Sequence, residues 1–307
     1  MTQSAMHLPP PTDDVEIGKR NLDRFGVTIH KGFLTSEKAE EARLRLEEQA
    51  EMEREKGLAS FAFEAAIGSG GEKVGTYFKL HVGSPVKPPP FQRIPFLVNK
   101  GKVFVEMAKH PAALEYARHV MKDIPFNIGI HAGHIVRKGA PAQQIHVDQL
   151  PVPFWTPVPI SINIMVALGR YEEDMGATRL IPGSHTFPVP DLSVDPRSID
   201  TVPVVLEPGW AAIWESRVWH GQGESVSHDP RYSLQIIYMS HFLKTFECYP
   251  AALHDDVYEK LSDEERALYD LDYSGFCGLK GPRNSLDQRS NVGYRVPFVP
   301  ELHREHE

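Results

Sequence analysis

Cysteine is almost missing from this 307-residue chain, which carries only Cys248 and Cys277. Two thiols cannot build a disulfide framework, and no C-x-x-C pair is present for zinc or thiol exchange. The expected setting is a reducing, cytoplasmic one. Long apolar runs are absent too. The longest, around Ile160 to Leu168, is interrupted by Ser161 and Asn163 and falls short of a membrane span. The first fourteen residues hold no basic stretch followed by an apolar core, so no secretory signal is expected. Positive charge is in deficit, with 33 Lys and Arg against 41 Asp and Glu, for a net charge of −8. Nucleic acid and anionic membrane surfaces are therefore poor partners. The glycine cluster Gly68-Ser69-Gly70-Gly71 lacks the G-K-[ST] ending and the following helix of a phosphate loop. No internal repeat is visible.

What is present reads as one globular domain. Residues 1–12 are polar and proline-rich and are expected to form a disordered tail, with a single domain over 13–307. Asp13 to Phe25 predicts a short helix, and Gly26 to Leu34 a strand rich in β-branched residues. Thr35 or Ser36 can cap a second helix to about Lys56, with Ala39, Ala42, Leu46 and Ala50 on one face. Its run of Glu and Arg reads as a solvated face. Val74 to Val82 suggests a strand, and Val103 to Met121 two short helices broken at Pro111. From Ile124 onward, short apolar segments follow one another: Phe126 to Val136, Gln144 to Val147, Ile160 to Leu168, Thr178 to Ile181, Val202 to Leu206, Ala211 to Trp214 and Tyr232 to Met239. Closely spaced short strands with Gly and Pro between them predict an all-β barrel or sandwich. Ile160, Ile162, Ile164, Val166 and Leu168 alternate with Ser161, Asn163 and Met165, and Arg231, Ser233 and Gln235 share a face opposite Leu234 and Ile236. Ser262 with Glu265 forms a capping box. The stretch from Gly275 to Glu307 reads as an irregular extension on the main body or at a subunit interface, which leaves a homodimer open.

The chain's organising stretch is Gln143-Gln144-Ile145-His146-Val147-Asp148. On an extended backbone His146 and Asp148 project to the same side, an imidazole nitrogen beside a carboxylate oxygen. His220, in Trp219-His220-Gly221, is the best third ligand. Two histidines and one carboxylate occupy one face of an octahedral ion and leave the opposite positions open, the triad of non-heme Fe(II) oxygenases. Arg231 heads an apolar strand, where its planar fork needs an anionic partner that a carboxylate would fit. Competing histidines are read as structural. His185 follows a Pro-Gly turn, and His131 and His134 fall on opposite faces of a strand, with loop or surface roles.

The motifs H-V-D at 146–148, G-A-T-R-L-I-P-G-S-H at 176–185, P-G-W-A-A-I-W at 208–214, W-H-G at 219–221 and R-Y-S-L at 231–234 resemble the phytanoyl-CoA dioxygenase family. P-A-Q-x-x-H-x-D at 141–148 and T-F-E-C-Y at 245–249 are similar to its natural-product tailoring members, while the N-terminal third matches loosely. The resemblance implies a mainly β fold with flanking helices, a double-stranded β-helix or cupin-like jelly-roll. It implies Fe(II) held by His146, Asp148 and His220. It implies 2-oxoglutarate with its distal carboxylate on Arg231 and Thr178 and its C1 carboxylate near Gln143. The implied reaction uses O2 to oxidise a C–H bond of a hydrophobic small molecule. Asp148 is present where halogenating relatives have a small residue, so halogenation is not expected. Phe78, Lys79, Phe154, Trp155 and Met165 are candidates for the substrate pocket. An acyl-CoA hydroxylase of the same family and a non-catalytic cupin-like binding protein are the alternatives.

Overall fold

The computed structural model describes residues 7–61, 82–149, 156, 158–188 and 198–271, together with the backbone of 62–66 and 73–80. In chain order the elements are α1 (Val15–Phe25), β1 (Val27–His30), α2 (Ser36–Glu55), β2 (Ser60–Ala66), β3 (Lys73–Leu80), β4 (Phe91–Ile94), α3 (Lys102–Ala108), α4 (Pro111–Val120) and β5 (Phe126–Val136). There follow β6 (Ser161–Ala167), β7 (Thr178–Leu180), β8 (Val202–Pro203), β9 (Ala211–Glu215), β10 (His220–Gln222), β11 (Arg231–Ser240), α5 (Tyr249–Ala252), α6 (Asp255–Lys260) and α7 (Asp263–Leu268).

Local chemistry sets the helix ends. Asp14 accepts the amides of Glu16 and Ile17 at the start of α1, and Gly26, at a φ of 71°, ends it. A side chain at Gly26 would also collide with Val218 and His185. Thr35 caps α2, Pro111 opens α4, and Ser262 and Glu265 form the expected box on α7.

The strands build an eight-stranded sheet in the order β1-β9-β6-β11-β5-β4-β2-β3 and a three-stranded sheet, β10-β7-β8. Their pairings are antiparallel. This two-sheet arrangement is the expected jelly-roll. The alternation read in β6 and β11 separates two cores. Ile162, Ile164, Val166, Leu234, Ile236 and Tyr238 face outward onto Leu46 of α2, Phe104 of α3 and Tyr116 of α4. Each such large apolar side chain contributes about 1.5–3 kcal/mol on burial. Met165, Ala212 and Trp214 face inward and meet Leu180, Val204 and Leu206 beneath the small sheet. α2 reaches β5 closely because residue 133 is glycine; a Cβ there would collide with Leu46.

Several expectations are corrected. Gln144 to Val147 is not a strand: only His146 forms a bridge, with His220. Thr12, expected in a disordered tail, is buried and bridges His30. His131 and His134 are buried on β5, not in a loop or at the surface. His131 Nδ1 lies 2.8 Å from Tyr269 Oη, and burial pushes its imidazole down to about 3. The charged run of α2 is only partly solvated. Arg45 donates to Gln49 (3.0 Å), Gln49 donates to Glu53 (2.9 Å), and Lys100 pairs with Glu53 at 2.7 Å, all buried. The extension over 275–307 lies outside the described residues.

Candidate metal centre and anion pocket

β10 links two clusters. His220 and Gln222 are two apart on one strand and project to the same side about 6.8 Å from each other. His220 faces the chain at 146–148, and Gln222 faces Arg231.

At the first cluster, His146 and His220 exchange backbone hydrogen bonds of 2.9 and 3.0 Å, and the Asp148 amide donates to Ser216 O at 2.9 Å. These bonds hold the H-x-D segment against β10 although it forms no strand. The potential ligand atoms of His146, Asp148 and His220 all lie within 4.8 Å of one another. His146 Nε2 is 3.9 Å from Asp148 Oδ1, and His220 Nε2 is 3.5 Å from Asp148 Oδ2. Both Nδ1 atoms are placed to donate to backbone carbonyls, His146 to Gln144 O at 2.8 Å and His220 to Val218 O at 2.9 Å. With the proton on Nδ1, each Nε2 presents its lone pair to the common centre. Burial pushes the His220 imidazole below its ordinary range, against the opposing pull of Asp148, and so favours the neutral form that a metal needs. This donor set, two neutral nitrogens and one carboxylate oxygen, fits a divalent ion such as Fe(II).

Two side chains that the sequence reading did not single out for the site support it. Asn163 Nδ2 donates to Asp148 Oδ2 at 3.0 Å. The Trp214 ring lies 5.1 Å from the His220 ring. Beyond Asp148, Gln149 Oε1 accepts from Ser216 Oγ at 3.1 Å, and Gln149 Nε2 donates to Thr156 Oγ1.

At the second cluster, Arg231 is 2 % exposed and faces no carboxylate among the described residues. Its Nη2 donates to Gln222 Oε1 at 3.1 Å, its Nη1 lies 3.5 Å from Ser233 Oγ, and its Nε has no partner. The guanidinium sits 4.3 Å above the Tyr171 ring. Burial lowers its pKa from the usual range, which shows what an isolated buried cation costs. Thr178 pairs with Gln222 in the register of β7 and β10, and its Oγ1 lies 2.7 Å from Tyr171 Oη. Gln143 Oε1 accepts the Gln222 amide at 3.0 Å. Gln143, Thr178 and Arg231 are thus joined through Gln222 and Tyr171. The chemistry left open is that of an anion: a planar cation short of a negative partner, with hydroxyl and amide groups around it.

Of the expected pocket residues, Met165 is 6 % exposed in the inward core. Phe78 and Lys79 fall on the edge strand β3, with side chains outside the described residues. Phe154 and Trp155 also lie outside them. His185 packs on Gly26 beside Val218 and is not among the clustered ligand atoms of His146, Asp148 and His220.

Comparison with known proteins agrees with this geometry. Residues 22–233 match the model of phytanoyl-CoA dioxygenase (PhyH). The multifunctional dioxygenase prhA of Penicillium brasilianum is 27% identical over 185 residues, covering 53% of this chain and 60% of that protein. Dioxygenase olcK of Penicillium canescens is 26% identical over 247 residues, covering 78% of this chain and 74% of that protein. For prhA, for af480 of Aspergillus fumigatus and for ausE of Emericella nidulans, the matched region spans only about half to two thirds of the relative's length. Among solved structures, the epimerase SnoN, in complex with Fe3+, alpha ketoglutarate and nogalamycin RO, aligns with a TM-score of 0.54 at 18% identity, covering 74% of this chain and 83% of that one. HygX of Streptomyces hygroscopicus, with nickel and 2-oxoglutarate bound, aligns at 0.53 and 15% identity, covering 75% and 88%. These two structures share the fold. The family match takes in both clusters from His146 to Arg231, and the chain belongs to the phytanoyl-CoA dioxygenase family.

Proposed function

We propose that this chain is an Fe(II)/2-oxoglutarate-dependent dioxygenase that oxidises a C–H bond of a hydrophobic small molecule in secondary metabolism. The observation that carries the reading is the buried Arg231, short of an anion and joined through β10 to a triad of metal-binding type. When bound, Fe(II) with 2-oxoglutarate and O2 supplies the oxidant, as decarboxylation to succinate and CO2 leaves one oxygen atom for the substrate.

The chain's own residues do the rest. His146, Asp148 and His220, whose ligand atoms lie within 4.8 Å of one another, would hold the metal. Arg231 and Thr178 bind the distal carboxylate of 2-oxoglutarate, and Gln143 lies toward its C1 end. Gln222 aims Arg231, and Tyr171 supports both Arg231 and Thr178 from below. The inward apolar wall containing Met165 excludes water beside these groups. The proposed pocket roles of Phe154, Trp155, Phe78 and Lys79 rest on the sequence alone. The domain is proposed to work in the cytoplasm. Among the described residues no helix is long and apolar enough to cross a membrane.

The substrate class draws support from the fungal dioxygenases among the relatives and from SnoN, which is described from nogalamycin biosynthesis. The family's name favours an acyl-CoA as the second reading, and the net charge of −8 opposes steering of such a polyanion. Succinate release under O2 distinguishes them. Stimulation by terpenoid, indole-alkaloid or polyketide panels is expected; stimulation confined to acyl-CoAs, with a matching oxidised product, would replace the first reading with the second. Metal analysis tests the site itself. One iron per chain is expected in the native protein and none in His220→Ala. Iron retained at one per chain in that variant would remove His220 from the centre.

A further inference from the structure

Asn163 is an amide in the middle of an apolar strand. It is 1 % exposed on β6, whose inward neighbour is Met165 and whose outward residues are Ile162, Ile164 and Val166. Burying an amide there costs free energy unless it is hydrogen-bonded, and its hydrogen bond goes to Asp148 Oδ2 at 3.0 Å. Its other polar atom, Oδ1, is buried without a partner. The amide's orientation is fixed by that contact, since turning it over would set Oδ1 against the carboxylate oxygen. Asp148 has no second side-chain donor among the described residues, so Asn163 is what stops its carboxylate from rotating. The register of the large sheet adds a second support. Asn163 lies directly opposite Trp214 on β9, and Trp214 packs its ring on His220.

We propose that Asn163 is a positioning residue for the metal centre, acting through Asp148, with Trp214 beside it steadying His220. The pair forms a floor under two of the three ligands, built on the paired interior strands β6 and β9 and not on the chain segment 146–148, which lacks a strand of its own. The hydrogen bond to Oδ2 makes the two carboxylate oxygens unequal and would hold Asp148 in one orientation toward a metal. Rigid support from a sheet compensates for ligands carried on an irregular segment. This inference rests on the proposed metal centre, and its test separates the two.

Metal affinity is measured anaerobically with Fe(II) and with Co(II), whose d–d spectrum reports ligand geometry. Asn163→Leu keeps the volume and removes the donor. Loss of an outer hydrogen bond to a ligand typically weakens metal binding about 10–100-fold, and a loss of that size with an altered Co(II) spectrum is expected. In an Asp148→Ala background the same substitution is expected to change affinity by less than about twofold, because its effect passes through Asp148. Asn163→Ser, whose shorter arm cannot reach the carboxylate, replaces Asn163→Leu should the leucine variant fail to fold. Wild-type affinity and spectrum in the Asn163 variant would overturn the proposal. So would an equal loss with and without Asp148, which would mark a general role in the fold. Failure of the native protein to bind either metal would instead sink the metal centre itself.

Discussion

Glu247 and Arg231 are both buried charges near β5 and β11, and their surroundings are completed differently. Glu247 accepts from Arg93 at 2.8 Å, from the His131 amide at 3.1 Å, from the Phe96 amide at 3.3 Å and from Tyr249 Oη at 2.9 Å. It ties the chain after β11 to β4 and β5, and every one of those partners belongs to the protein. Arg231 has two neutral neighbours, an aromatic ring below it and an unpartnered Nε. A buried charge with a full set of partners is a structural fastener. A buried charge left short, at the head of β11 and joined through Gln222 to the strand that carries His220, is half of a binding site. The two faces of the large sheet differ likewise: the outward face is filled by helices, and the inward face carries Asn163 and Trp214 beside the triad.

Substitutions can break that contrast. Glu247→Ala removes the carboxylate that Arg93, two backbone amides and Tyr249 share and should cost about 3–5 kcal/mol of unfolding free energy in a urea melt, with 2-oxoglutarate affinity unchanged in the folded fraction. A stability loss below about 1 kcal/mol would deny Glu247 its role as a fastener. Arg231→Met should show the reverse pattern. Loss of one partner of a desolvated charge pair weakens 2-oxoglutarate binding by about 2–5 kcal/mol. The ligand-free protein should be at least as stable as the native one, because an unpaired buried cation is gone.

His131 sharpens the structural side. Its folded pKa is pushed down to about 3, below the ordinary value of 6.5, so between those limits the unfolded chain binds more protons. Its contribution is complete above pH 6.5 and is lost as pH falls toward 3, by up to about 1.4 kcal/mol per pH unit. His131→Gln should flatten the stability profile in that window; an unchanged slope would contradict the assignment. The smallest effect is expected at Thr178→Val, which removes one hydroxyl from the anion pocket and should cost about 1 kcal/mol of 2-oxoglutarate binding by calorimetry.

How much of this was legible in the sequence follows the range of each interaction. Capping residues, the alternation of β6 and β11, and the i, i+2 placement of Arg231 with Ser233 are local, and they read correctly. His146, Asp148, His220, Arg231, Thr178 and Gln143 were singled out by motif, and the structure places them in two linked clusters. Gln222 had a signal that went unused, since it follows His220 by two on one strand. Tyr171, Asn163 and Trp214 act through contacts between strands far apart in sequence, and nothing in their own neighbourhood marks them. The strand expected at 144–147 failed for a related reason. Its partner is the three-residue β10, whose ladder is made with β7, and backbone bonds to single residues hold it instead. Burial of His131 and of the Arg45-Gln49-Glu53 series likewise depends on what packs over them, which periodicity does not report.

The central claim is that Arg231 awaits the carboxylate of a metal-chelating co-substrate. An anaerobic titration of the Fe(II)-loaded protein with 2-oxoglutarate, followed by the charge-transfer absorption of the chelate, tests it directly. The account predicts a saturable band at one equivalent per chain in the native protein, and in Arg231→Met a midpoint shifted by about 30-fold or more, the lower end of a 2–5 kcal/mol loss. No band in the native protein, or the same midpoint in both, would contradict it.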